Sequence, residues 1–201
     1  DLNASPGDEI VVASDYGKAY FVAATGLITP RDAAPANVAL RAPVGRQRGD
    51  GGREVAIVSD QGNLLRFGAT GELLGTVALG TGTPRAPAVG ELDGLPGEEI
   101  VVAFAGGRVD AVTGDGELLA GWPVAIGEGP RAPLLIDLDF DGKHEVVCVR
   151  LAGAELDQLE LRVLRADGSA GPGDGTLVAM PPDGSRWLAV SDPAGLARPA
   201  R

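Results

Sequence analysis

The chain repeats itself every 45 residues. Glu9, Glu54, Glu99 and Glu145 each open a short apolar run, "EIVVAS", "EVAIVS", "EIVVAF" and "EVVCVR", at spacings of 45, 45 and 46. A repeat of this length makes each unit one supersecondary element that buries its apolar face against the next. The runs are rich in Val and Ile, too short for helices and bounded by turn residues, so each reads as a strand. The first three are followed by the turn signals "SDYG" (14–17), "SDQG" (59–62) and "AGG" (105–107). A second strand then starts on a polar residue (Lys18, Asn63, Arg108), carries an apolar one four positions later (Val22, Phe67, Val112) and stops at Gly26, Gly71 or Gly116. A third segment follows, as in "GELLGTVAL" (71–79) and "GELLAGWPVAI" (116–126), and "RAP" at 41–43, 85–87 and 131–133 leads into the next acidic turn. The unit is four short antiparallel strands, which is the blade of a β-propeller.

The expected fold is all-β, a single propeller segment over 1–201 with blades of about 45 residues at 1–40, 41–84, 85–130 and 131–176, and a partial one at 177–201. "LAGAELDQ" (151–158) loosens the fourth hairpin before "LELRVLRADG" (159–168) resumes the pattern, and "DGSRWLAVSDPAG" (183–195) echoes the first strand and turn. The sequence begins and stops within a blade, so the expectation is a partial ring of four to five blades, read as part of a larger ring in preference to a five-bladed closure. With 31 Gly and 15 Pro and few aromatic residues, the composition suits many turns and short strands.

The net charge of −11, from 28 acidic and 17 basic residues, argues against nucleic acid or an anionic membrane as partner. No apolar run approaches the length of a membrane span, so no membrane insertion is expected in this segment. Cys148 is the single cysteine and cannot form an internal disulfide. The first residue is Asp1 rather than Met, so a targeting signal could lie upstream of it.

"DLDFDGKHE" (137–145) is the most chemically loaded stretch. It places Asp137, Asp139, Asp141 and Glu145 at positions 1, 3, 5 and 9, with Gly142 at 6 and the Lys143 carbonyl at 7. Hard oxygen donors at alternate positions of a tight loop can converge on Ca2+, and the glycine permits the turn. An EF-hand is excluded, because its position 12 is Cys148 here and a strand follows where a helix is needed. The competing assignment is an Asp-rich turn whose side chains cap their own backbone. The other loops grade downward. Asp1, Asn3, Ser5 and Glu9 keep the spacing without the position-six glycine; Glu91, Asp93 and Glu99 survive in the third loop, where Leu95 removes a ligand. In the second loop Arg46 and Arg48 stand at donor positions beside Asp50 and Glu54, and a cationic side chain there replaces the ion. Loss of the ligands loop by loop suits a structural rather than a catalytic metal.

These blades resemble the FG-GAP/VCBS repeat proteins, whose units look like "DxDxDGxxEIVVxxxDG"; the likeness runs from "DLNASPGDEIVVASDYG" (1–17) to "DLDFDGKHEVVCV" (137–149) and includes "GWP" at 121–123. The resemblance implies that Glu145, at the ninth position, supplies the last carboxylate, as in integrin-type propellers. It also implies an extracellular, cell-surface or periplasmic module for adhesion or interaction, with a protein or glycan ligand and structural calcium in its blade turns. The alternative is the propeller domain of a larger secreted enzyme, a polysaccharide lyase or hydrolase, with catalytic residues outside this segment.

Other chemistry-bearing residues have structural expectations. His144, the only histidine, rules out a His-based zinc cluster and is expected on a solvent-facing turn. Cys148 is expected in the core rather than as a nucleophile paired with His144. Trp122 and Trp187 occupy different places in their repeats, which favours packing over a sugar-stacking platform. Arg41, Arg85 and Arg131 of "RAP" recur and are expected to bond strand ends or neighbouring blades. No nucleophile elbow, phosphate loop or dinucleotide fingerprint is present, and no tryptophan docking repeat of a quinone-dependent dehydrogenase.

Overall fold

The structure, a computed structural model, describes residues 2, 8–152 and 158–179. Among the described residues, fifteen strands form antiparallel sheets in chain order. The first sheet holds three: β1 (Ile10–Ala13), β2 (Lys18–Val22) and β3 (Ile28–Asp32). The second holds β4 (Val44–Gln47), β5 (Arg53–Val58), β6 (Asn63–Gly68) and β7 (Leu73–Ala78). The third holds β8 (Ala88–Gly90), β9 (Glu99–Ala103), β10 (Arg108–Val112) and β11 (Val124–Ala125), and the fourth β12 (Leu134–Ile136), β13 (Glu145–Ala152), β14 (Gln158–Leu164) and β15 (Thr176–Ala179). β15 carries the fourth sheet past residue 176. The echo at 183–195, with Trp187, lies outside the described residues, as does most of the insertion in "LAGAELDQ".

Each sheet stacks on the next. Three apolar clusters fill the junctions, and in each one alternate residues of one strand face alternate residues of another, as the two-residue period of a strand requires. Val11, Ala13, Ala19 and Phe21 of the first sheet meet Val55, Ile57, Leu65 and Phe67 of the second. The Phe21 and Phe67 rings sit 5.5 Å apart at 55°, a tilted contact that contributes about 0.5–1.5 kcal/mol beyond area burial. Ala56, Val58 and Leu64 then meet Ile100, Val102 and Phe104, and Val101, Ala103 and Val109 meet Val146, Cys148 and Leu164. This explains why the second strand of each inner sheet is apolar without alternation: it is covered on both faces. β7, on the outside, alternates instead. On the inside, β8 lies against both β4 and β12. Four-stranded sheets stacked around shared inner strands are the blades of a β-propeller arc.

"RAP" closes each blade at the same place. The backbone N–H groups of Arg41, Arg85 and Arg131 donate to Val58, Ala103 and Val149 at 2.7, 2.8 and 2.8 Å. The Arg85 side chain reaches the next blade, where Nε donates to the Pro130 carbonyl at 2.9 Å. Trp122 is buried in the third junction and its indole N–H donates to the Ala166 carbonyl at 2.7 Å across it. The third segment of that blade is consequently short. Where "GELLAGWPVAI" reads as one strand, the chain makes a single bridge at Leu118, dips inward at Trp122 and resumes only as β11. Pro123 cannot donate to a ladder, which reinforces the break.

Candidate metal turns at one end of the blades

The loops joining the first and second strands of successive blades (48–52, 91–98 and 137–144) emerge by topology at the same end of the arc. The glutamates at the starts of β9 and β13 are buried and hold their loops, and the half-buried Glu9 does the same for the first. Glu145 Oε2 accepts the Leu138 N–H at 2.8 Å, Glu99 Oε2 the Leu92 N–H at 2.8 Å and Glu9 Oε2 the Leu2 N–H at 2.8 Å. In these three blades the repeated residue has one task, which is to pin the loop's second residue onto the strand.

In the fourth loop, carboxylate oxygens of Asp137, Asp139 and Glu145 lie within 4.8 Å of one another, close enough to share one cation. Asp141 is turned aside, and its Oδ1 accepts the Lys143 N–H at 2.8 Å. The loop also uses its own acids as caps: Asp137 accepts the N–H groups of Asp141 and Gly142 at 3.2 and 3.0 Å, and Asp139 that of Asp141 at 3.3 Å. Chain reversal is completed by Gly142 at φ +92° and, with a bulky side chain, by Phe140 at φ +61°, which stands 70% exposed at the tip. The donor set Asp137, Asp139 and Glu145 fits a hard divalent cation, and the same loop caps its backbone.

The third loop is better assembled than its sequence suggests. Glu91, Asp93 and Glu99 also lie within 4.8 Å of one another although Leu95 stands at a donor position. Burial pushes the Glu99 carboxyl above the ordinary range, the neighbouring Asp93 and Glu91 charges push it the same way, and the Leu92 N–H pulls against them. Of the first loop, Asp1, Asn3 and Ser5 lie outside the described residues, and only Glu9 is placed.

The second loop has a different solution. Glu54 is fully buried and Arg66 grips it with Nε and Nη2 at 3.0 Å each, while Arg46 Nε lies 3.5 Å from it. Arg46 stands one repeat before Glu91, at the position of a first ligand, so its guanidinium supplies there the positive charge an ion would bring. Arg48 is paired with Asp50 nearer the surface. The part played by Arg66 is not evident from the loop motif. Its signal is one repeat away on either side, where Phe21 and Ala111 fill the same position in an otherwise apolar strand.

The third and fourth loops are tied together. The Lys143 ammonium donates to the Asp93 carbonyl at 2.8 Å, the His144 N–H donates to the Glu91 carbonyl at 2.7 Å, and His144 Nδ1 lies 3.0 Å from both the N and O of Glu91. His144 is therefore half-buried in a blade junction rather than facing solvent, because its backbone extends the contact between adjacent loops. Cys148, fully buried on β13, has its thiol pushed up to about 12 by desolvation. This opposes thiolate formation, and the side chain is core packing.

The chain matches no family model and no curated protein by sequence. Among solved structures it is similar to BBS1N in complex with ARL6DN. One such crystal, soaked with lead, aligns at a TM-score of 0.65 and 12% identity over 89% of this chain and 54% of that one. A second, soaked with mercury, aligns at 0.53 and 18% over 88% and 54%. A protein of unknown function from Bacteroides caccae aligns at 0.48 and 16% over 85% and 55%. The chain thus spans about half the length of these neighbours. With the stacked four-stranded sheets, the likeness to BBS1N establishes the architecture: an all-β chain forming part of a β-propeller.

Proposed function

We propose that this arc is a noncatalytic interaction module of the FG-GAP/VCBS type, displayed in a calcium-containing compartment, whether extracellular, on the cell surface or periplasmic. Ca2+ is its structural ion, held at Asp137, Asp139 and Glu145 with the Lys143 carbonyl and Asp141 completing the loop, and secondarily at Glu91, Asp93 and Glu99. The observation that carries the reading is the tie between these two acidic turns through Lys143 and His144. It makes adjacent loops one rigid surface from which Phe140 and Leu95 project, 70% and 64% exposed. Exposed apolar tips on a preorganised polar frame are what a recognition surface needs. BBS1N, which shares the fold, is itself seen in complex with a protein, ARL6DN. A protein or glycan ligand engaging the loop tips, as in adhesion, follows from the same surface.

Calcium titration by calorimetry, paired with binding to protein and glycan arrays, tests this. Saturable calcium binding and array ligands lost on Phe140→Ser together with Leu95→Ser are the expected results. Array binding indifferent to both the loop tips and calcium would overturn the proposal.

A further inference from the structure

A cavity of about 350 Å³ opens between the second and third blades, at the end where the acidic turns emerge. Arg46 of β4 supplies one wall, and Asp93 and Glu99 of the third turn supply another, with Leu95 and Pro96 adding apolar surface. The volume is that of a small-ligand site.

Arg46 is 5% exposed, and its buried Nε and Nη1 donate no hydrogen bond. Glu54, 3.5 Å from Nε, is already gripped by two Arg66 nitrogens at 3.0 Å each. A buried cation with idle donors costs stability unless a partner arrives. Its place is nonetheless prepared. A methyl group at Gly114 would lie 2.1 Å from Arg46 Nη2 and 2.3 Å from Nη1, so the guanidinium lies against the 113–115 hairpin, which lines the same cavity. Both positions depart from the repeat. Arg46 stands where the other blades have Asp1, Glu91 and Asp137, and Gly114 where they have Ala24, Ala69 and Ala166. The two changes meet in space at this one blade junction.

The remaining charges of the cavity sort into two groups. Arg48 is paired with Asp50, and Arg66 has Asp115 at 3.5 Å besides Glu54. Arg46 on one side and Asp93 with Glu99 on the other are left, and Arg46 Nε and Nη1 bond to neither acid. Glu99 is near enough to strengthen the hold of Arg46 on its proton. A simple anion would meet the two carboxylates, and a simple cation would meet the guanidinium. A ligand with both charges a short distance apart satisfies each wall.

We propose that this cavity binds a free α-amino acid, with its carboxylate at the Arg46 guanidinium, its ammonium toward Asp93 and Glu99, and an apolar side chain on Leu95 and Pro96. A planar carboxylate matches a guanidinium in a way that a point charge does not. Calcium in the third turn would use the same two acids, so metal and ammonium are alternative occupants of that wall. Measured in chelator, amino-acid binding is independent of the calcium reading.

The test starts with thermal shift of the full 201-residue chain against the standard amino acids in chelator. The strongest is then titrated by calorimetry beside its deaminated acid and its decarboxylated amine. The expected result is saturable one-to-one binding of an amino acid with an apolar side chain, and affinity at least about tenfold weaker for each analogue, because each leaves one wall unpaired. Asp93→Asn, which keeps an oxygen for the Leu95 N–H, and Gly114→Ala, which pushes the Arg46 guanidinium aside, should each weaken binding by a similar factor, with circular dichroism confirming that they fold. No binding of any standard amino acid in chelator, an analogue that binds as tightly as its parent, or full affinity in either folded variant would overturn the proposal.

Discussion

The second and fourth blades place a buried glutamate at the same point and surround it with opposite charges. Glu54 is surrounded by Arg46 and Arg66, so its counter-charge is part of the chain. Glu145 has Asp137 and Asp139 beside it, and the nearest lysine, Lys143, sends its ammonium to the Asp93 carbonyl of the neighbouring blade. One turn is complete as synthesised; the other accumulates negative charge that an external cation would relieve. On the proposed calcium reading, the repeat keeps its backbone while the charge that closes the turn changes from ligand to side chain.

The sharpest way to break this comparison is Glu54→Gln. Arg46 is almost fully buried, and burial already lowers its affinity for a proton while Glu54 raises it. Removing the carboxylate leaves the buried Arg46 guanidinium without its nearest counter-charge, which costs about 3–5 kcal/mol, while Arg66 keeps Asp115 at 3.5 Å. Urea denaturation should show that loss equally with calcium and with chelator. A loss under about 1 kcal/mol would mean that the triad does not hold the second turn.

The fourth turn should respond to the medium instead. Calcium at a hundred times the fourth turn's dissociation constant should stabilise the parent by about 2.7 kcal/mol through that turn, and Asp139→Ala should abolish that share of the gain while leaving whatever the third turn contributes. In chelator the same substitution, at an exposed carboxylate, should change stability by no more than about 0.5 kcal/mol. Thermal melts of parent and variant in both media decide it; equal melting temperatures with calcium and with chelator in the parent would show the turn to be self-capped only.

The tie between the loops is weaker. Lys143→Met keeps the aliphatic stem and removes one charged hydrogen bond to the Asp93 carbonyl, a loss of about 1.5 kcal/mol. Hydrogen exchange should quicken at 91–94 and 143–145 while the second blade is unchanged, because Gln47 and Glu98 make the corresponding link there, with bonds of 2.6 and 3.0 Å.

The 45-residue register was legible because it rests on local facts: β-branched runs, turn glycines and "RAP" each recur on their own. Strand pairing followed from hairpin lengths. The places where legibility failed involve contacts made by folding, across a hairpin or between blades. Arg66 reaches Glu54 across a hairpin, His144 meets Glu91 from the next blade, and Trp122 leaves its own strand to bond Ala166. A motif at fixed spacing reports the atoms of one loop and is silent about the sheet stacked on it. Hence Asp137, Asp139 and Glu145 could be grouped from spacing, whereas the turning aside of Asp141 to its own backbone, and the close grouping of Glu91, Asp93 and Glu99 despite Leu95, depended on how the loop folds back.

The smallest effect sits in the third blade, between the two extremes. Glu99 has Glu91 and Asp93 on its own loop and Arg46 facing it from the second sheet, and burial with those acidic neighbours raises its pKa. A carboxyl with a raised folded pKa holds its proton in the native state after the unfolded chain has released it. Stability from this group is therefore greatest below the ordinary glutamate range and falls as pH rises through the raised value. Glu99→Gln retains an oxygen for the Leu92 N–H and cannot ionise. In chelator it should match the parent at pH 4 and become the more stable of the two by pH 7, by less than either change above. Calcium at pH 7 should reverse the order, because the parent then gains a ligand that the variant lacks. Denaturation curves at the two pH values, with and without calcium, make the check. An advantage for Glu99→Gln that persists in saturating calcium would place the third turn with the second, as one that holds itself without an ion.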